Sequence, residues 1–115
     1  MNSPHLDPRL AKMIADQEGR GVQLSKQPIG TVIEVKTANS FYRIKVLPGN
    51  RFEVKGGTYF PEPTEVTIPG STWGGSMLKM NWIGLGMHIE FNQYTTSEVK
   101  SLKIVAPDGS WEYDI

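Results

Sequence analysis

GTVIEVKTANSFYRIKVLPGNRFEVK, residues 30–55, alternates apolar and polar side chains in three successive passes with a reversal between each. In the first pass Thr31, Ile33 and Val35 alternate with Val32, Glu34 and Lys36. In the second, Tyr42, Ile44 and Val46 alternate with Phe41, Arg43 and Lys45. In the third, Phe52 and Val54 point one way and Arg51, Glu53 and Lys55 the other. A period of two is that of a pleated strand, so each pass has an apolar face and a more polar one. The reversals are chemically marked: TANS (37–40) is rich in turn formers, and Pro48-Gly49-Asn50 joins a residue that presets φ to two that accept φ > 0. The stretch reads as a three-stranded antiparallel meander over 30–56.

Downstream, GGTYFPEPTEVTIPGSTWGGS (56–76) reads as loop around one short strand at 64–68, because Pro61 and Pro63 cannot donate to a ladder and confine their stretch to an edge or a crossover. Four further strand candidates follow in MLKMNWIG, MHIEF, VKSLKIV and SWEYDI. Leu78, Met80 and Trp82 share a face, as do Met87, Ile89 and Phe91, then Leu102 and Ile104, then Trp111, Tyr113 and Ile115. Ala106-Pro107-Asp108-Gly109 is a turn signal that pairs the last two strands as a hairpin. Upstream, Asp7 caps and Pro8 opens a helix over 8–18 with Leu10, Met13 and Ile14 on one face, and Gly19 ends it. Residues 19–29 read as a linker. The expected fold is mainly β: a small antiparallel barrel or sandwich of about six to eight short strands, preceded by one short N-terminal helix. Residues 1–29 form the helix and linker, and 30–115 the β domain.

Composition fits one core. The chain has 115 residues, 38% hydrophobic and 21% charged, with twelve Gly and eight Pro, which excludes fibrous and disordered classes. Twelve bases balance twelve acids, so no net field draws the molecule to nucleic acid or an anionic membrane. The balance is uneven along the chain. Residues 20–60 hold seven bases (Arg20, Lys26, Lys36, Arg43, Lys45, Arg51, Lys55) against two acids (Glu34, Glu53), and 61–115 hold three bases against seven acids. The absence of cysteine excludes disulfides, thiol chemistry and Cys-based metal sites. With no secretory pattern and no long apolar run, the expected location is the cytoplasm and no membrane is expected as partner.

Reactive constellations are sparse. Of the two histidines, His5 lies near the N-terminus and His88 sits on a strand between Met87 and Ile89. Ser71 and Ser76 in GSTWGGS satisfy neither a phosphate loop nor a nucleophile elbow. Gly84-Leu85-Gly86 lacks a third glycine and a following helix, and reads as a tight turn. The carboxylate pairs on offer, Glu62 with Glu65 and Glu90 with Glu112, fall on loops or polar strand phases. The expectation is a protein without catalysis, metal or cofactor, with an enzyme or small-ligand sensor using Glu62, Glu65 or His88 in a cleft as the remote alternative.

Two binding surfaces remain. Tyr59, Phe60 and Trp73 lie in Gly/Pro-rich loops, where a large aromatic either plugs a barrel end or anchors a protein partner. Lys36, Phe41, Arg43, Lys45, Arg51 and Lys55 combine basic and aromatic side chains on the polar phase of three strands, the way small barrels hold single-stranded nucleic acid. A protein partner is the leading expectation and nucleic acid the alternative.

The ordered blocks GTVIEVKT, FYRIKV, FPEPTEV, GSTWGGSMLKMNWIGLGMHIEF and TSEVKSL, spanning about 30–104, resemble a family of small uncharacterised bacterial proteins. The resemblance implies a bacterial, cytoplasmic, small β domain, and it carries no activity, cofactor or site residue.

Overall fold

The computed structural model describes residues 20–115, and the helix expected over 8–18 lies outside them. The described chain is almost wholly strand and turn. In order come β1 (Gly21–Gln23), a 3-10 turn at Leu24–Lys26, β2 (Val32–Thr37), β3 (Phe41–Leu47), β4 (Arg51–Gly56), β5 (Phe60–Val66), β6 (Gly70–Thr72), β7 (Leu78–Met80), β8 (Trp82–Gly84), β9 (His88–Glu90), β10 (Thr95–Val105) and β11 (Glu112–Asp114). Every pairing is antiparallel.

The meander forms as the alternation dictates. β2, β3 and β4 pair in register, with Ile33 opposite Ile44 and Ile44 opposite Val54, and Ile33, Val35, Tyr42, Ile44, Val46, Phe52 and Val54 are buried. Gly49 and Asn50 both take positive φ in the reversal between β3 and β4, the conformation their residue types tolerate. The sheet runs β5-β4-β3-β2-β10-β9-β6-β7. β10 is long enough to serve two neighbours on its far side, β9 at its N-terminal end and β11 at its C-terminal end. Register shifts within it, between Thr95 and Glu98 and between Val99 and Ser101, mark the irregularities that let a strand bend. The result is a curled, half-barrel sheet. A separate ribbon of β1 and β8 contributes Val22, Leu24 and Ile83 to the core the curl encloses.

The C-terminal hairpin follows its turn signal: Gly109 N–H donates to Ala106 O, Ala106 N–H to Trp111 O, and Asp108 Oδ1 accepts from Ser110 N–H, each at 3.0 Å.

Four details differ from the sequence reading. Residues 21–24 pack against the core instead of serving only as a linker, because Val22 and Leu24 are apolar and pair or abut β8. β6 forms inside the stretch read as loop, since a three-residue strand is too short to show a period. β5 starts at Phe60, not at residue 64, and takes in both prolines; it does so as an edge strand, where a missing N–H faces solvent. Finally, Leu78, Met80 and Trp82 do not share a face. Asn81 adopts φ 56°, which ends β7 and starts β8 in a new direction, so Trp82 is buried while Leu78 and Met80 stay outside.

Candidate functional site

His88 and Ser71 make contacts that hold the fold, and the candidate carboxylates lie at the surface. His88 Nδ1 lies 2.9 Å from the Thr96 carbonyl oxygen; a carbonyl can only accept, so Nδ1 carries the proton and donates. Ser71 is buried, and its hydroxyl donates to Trp82 O at 2.6 Å. Glu65 pairs with Arg51 at 2.7 Å on the surface, Glu90 accepts from the Thr95 hydroxyl at 2.8 Å, and Glu112 lies 4.0 Å from Lys103. Glu62 is exposed on β5. Gly84-Leu85-Gly86 is the tight turn its composition suggests: Met87 N–H donates to Gly84 O and Gly86 has φ 81°. Among the described residues no group of three His, Asp or Glu side chains is placed to hold a metal ion, and no helix is long and apolar enough to cross a membrane.

Tyr59, Phe60 and Trp73 do not form one surface. Phe60 opens β5 opposite Gly56 with 8% of its surface exposed, and packs edge-on against Phe91 at 5.1 Å. It is a core residue, which corrects its reading as an exposed anchor: residue 60 is the first inward position of β5, not part of the turn. Tyr59, one residue earlier, is 62% exposed, yet its ring packs at a tilt against Tyr94 with centroids 4.1 Å apart. Tyr94 in turn shares a hydroxyl hydrogen bond with buried Tyr42 at 2.9 Å. Burial foremost, and then this bond, push the Tyr42 phenol well above its ordinary range. These rings join the β4–β5 turn to the β9–β10 turn, strands that are not neighbours in the sheet, with Tyr42, Phe60 and Phe91 in the core and Tyr94 packed against it. Gly57 makes the crossing possible: it has φ 62°, and a Cβ there would lie 2.8 Å from the Tyr42 hydroxyl.

Trp73 belongs to a different device. The β6–β7 hairpin turns through Trp73-Gly74-Gly75-Ser76-Met77, and four apolar side chains of this hairpin face solvent: Trp73 at 72% exposure, Met77 at 85%, Met80 at 69% and Leu78 at 37%. The Trp73 ring edge lies against Gly86. The hairpin ends the sheet, and among the described residues no strand pairs with the outer edge of β7. Met77, Leu78 and Met80 were not singled out as surface residues from sequence; the available signal was Asn81, a residue type that tolerates positive φ in the middle of a strand pattern.

The basic residues do come together. β2, β3 and β4 are adjacent, and Lys36, Phe41, Arg43, Lys45, Arg51 and Lys55 all lie on the outer face. The register also interleaves acids among them: Glu34 lies opposite and 3.9 Å from Arg43, Glu53 opposite Lys45, and Glu65 beside Arg51. The exposed Phe41 sits over a shallow depression of about 250 Å³ whose lining pairs Lys36 and Lys103 with Glu34 and Asp114. The face is mixed in sign instead of a continuous positive strip.

No family model, curated protein or solved structure matches this chain.

Proposed function

We propose that the protein is a cytoplasmic, non-catalytic binding module that engages a protein partner through the β6–β7 hairpin. One observation carries this reading: four of the seven exposed large hydrophobic side chains among the described residues, Trp73, Met77, Leu78 and Met80, belong to this one hairpin at the end of the sheet. Apolar side chains scattered singly over a surface are ordinary, whereas their concentration on one short hairpin supports an interaction site. Trp and Met are also residue types enriched in interface cores. The engagement of His88 and Ser71 in bonds within the fold supports a scaffold that presents a surface and carries out no reaction. Within the expected set Trp73 keeps its role, Tyr59 is peripheral to it, and Phe60 supports the fold.

The test is site-specific photo-crosslinking in the native cell, with a photoreactive phenylalanine at position 73 or 77 and, as control, at the exposed polar position 110. Adducts to a protein from 73 and 77 but not from 110 support the reading. Equal labelling at all three positions, or none, overturns it.

The nucleic-acid alternative rests on the adjacency of the basic strands, but a strand-binding groove needs a positive track along its length, and the interleaved acids interrupt this one.

A further inference from the structure

The two edges of the sheet are built differently. The outer edge of β5 carries Pro61 and Pro63, which have no N–H to offer, together with Glu62 and Glu65. Prolines and charges are how proteins prevent an edge from recruiting another strand. β7, at the opposite edge, is Leu78-Lys79-Met80: it has no proline, and what guards it is its shortness and one charge, Lys79. Asn81 N–H donates to Pro69 O at 2.8 Å, one step beyond the Gly70↔Met80 pair, so that pair is a non-hydrogen-bonded one and Ser71↔Lys79 exchanges both ladder bonds. Leu78 and Met80 therefore aim their N–H and C=O groups away from β6, toward the open edge.

Resting on the reading of this hairpin as a contact surface, we propose that its occupant is a second copy of the chain: β7 pairs antiparallel with β7 of another molecule about a two-fold axis, joining two curled sheets into one. In this register Leu78 of one copy faces Met80 of the other, and both residues complete their ladder bonds. Three observations select a second copy. The chain has equal numbers of acids and bases, so copies do not repel at long range. The edge's one charge, Lys79, lies with Nζ 3.9 Å above the Trp82 ring of its own chain; the two lysines that meet across the axis are thus each drawn to an aromatic face, and like charges opposite one another on strands cost less than about 1 kcal/mol. The exposed portions of Met77, Leu78 and Met80, the residues at the open edge, come to about 350–400 Å² per chain, which a two-fold doubles to about 700–800 Å², the size of a weak, reversible interface.

Sedimentation equilibrium of the full chain between about 1 and 500 µM tests the proposal. The weight-average mass is expected to rise from 12.8 kDa to twice that value across this range. Met80→Glu introduces a charge at the seam, and Leu78→Pro removes an outward N–H from an edge strand that tolerates its loss; each is expected to weaken the dimer at least 30-fold, with near-UV circular dichroism unchanged. A chain monomeric at 500 µM, or a dimer indifferent to both folded variants, overturns the second-copy proposal. The crosslinking result is read separately: adducts from 73 and 77 to a different protein keep the hairpin as a contact surface while a monomeric chain removes the two-fold.

Discussion

Replacing Phe60 and Trp73 by alanine, one at a time, separates the aromatic residue that holds the fold from the one that is displayed. Phe60 is 8% exposed and meets Phe91 edge-on at 5.1 Å. Burying an aromatic ring removes about 150–250 Å² from water, which at about 25 cal/mol per Å² is about 4–6 kcal/mol as an upper bound. Alanine retains Cβ, and a β5 edge site relaxes more than a central one, so Phe60→Ala is expected to cost about 3–4 kcal/mol, at the lower end for Phe truncations. For a domain of this size that lowers Tm by roughly 12–20 °C. Trp73 is 72% exposed, so Trp73→Ala removes little buried area and costs less than about 1 kcal/mol. Urea denaturation followed by circular dichroism measures both, with an unchanged m-value confirming that the midpoint shift reports a change in stability. Equal midpoint shifts for the two variants, or a Phe60→Ala cost below about 1 kcal/mol, would refute the division of the loop aromatics into core and surface.

Gly56→Ala is expected to cost about 3 kcal/mol or more, measured as the loss of urea midpoint: Gly56 has φ 136°, and a Cβ there would collide with the Phe41 carbonyl oxygen. Thr31→Val is expected to stabilise by about 1 kcal/mol in the same assay, because the buried Thr31 hydroxyl has no hydrogen-bond partner among the described residues and valine removes the cost of burying it. Tyr113 has its phenol pushed up to about 12 by burial, from an ordinary 10.0. The folded state thus holds this proton more tightly than the unfolded one, so the stabilisation is complete below pH 10 and is lost as pH rises to about 12; Tyr113→Phe is expected to flatten the fall in stability across that window, and an identical alkaline profile would contradict the assignment. Titration with a single-stranded oligonucleotide at 150 mM salt is expected to give a Kd weaker than about 100 µM, whereas tight, steeply salt-dependent binding would restore the nucleic-acid reading.

The parts of the fold legible in sequence are those where periodicity ran long enough to show. β2, β3 and β4 were readable because each offers at least five alternating residues, and the reversals at Pro48-Gly49-Asn50 and Pro107-Asp108-Gly109 carry their own turn chemistry. β1, β6 and β8 were not separable as strands, since three residues define no period and their burial comes from tertiary contacts: Ser71 is buried with its hydroxyl bonded to Trp82 O. At the candidate site Trp73 was legible as a large aromatic among glycines. Its companions were hidden, because MLKMNWIG reads as one strand with one inward face until Asn81 turns left-handed. Phe60 was misplaced for a related reason. A Phe next to a Tyr in a Pro-rich stretch gives no phase, and only the opening of β5 at Phe60 assigns one ring inward and the other outward.

Charge illustrates how register rewrites what composition says. The excess of bases in 20–60 and of acids in 61–115 looks in sequence like two opposed surfaces. Folding brings β5, β10 and β11, which belong to the acidic half, into the same sheet as the basic meander. It seats Glu65 against Arg51 at 2.7 Å, with Glu112 4.0 Å from Lys103. These pairs are exposed and contribute little to stability, at most about 1 kcal/mol each. Their consequence is electrostatic: opposite charges a few ångströms apart cancel beyond a Debye length of about 8 Å at physiological salt. These pairs therefore reduce the long-range field with which the outer face of the meander could steer an anionic polymer. What distinguishes the surface is instead the apolar hairpin of Trp73, Met77, Leu78 and Met80, and short-range contact at an open strand edge, not charge, is the interaction this architecture is built to make.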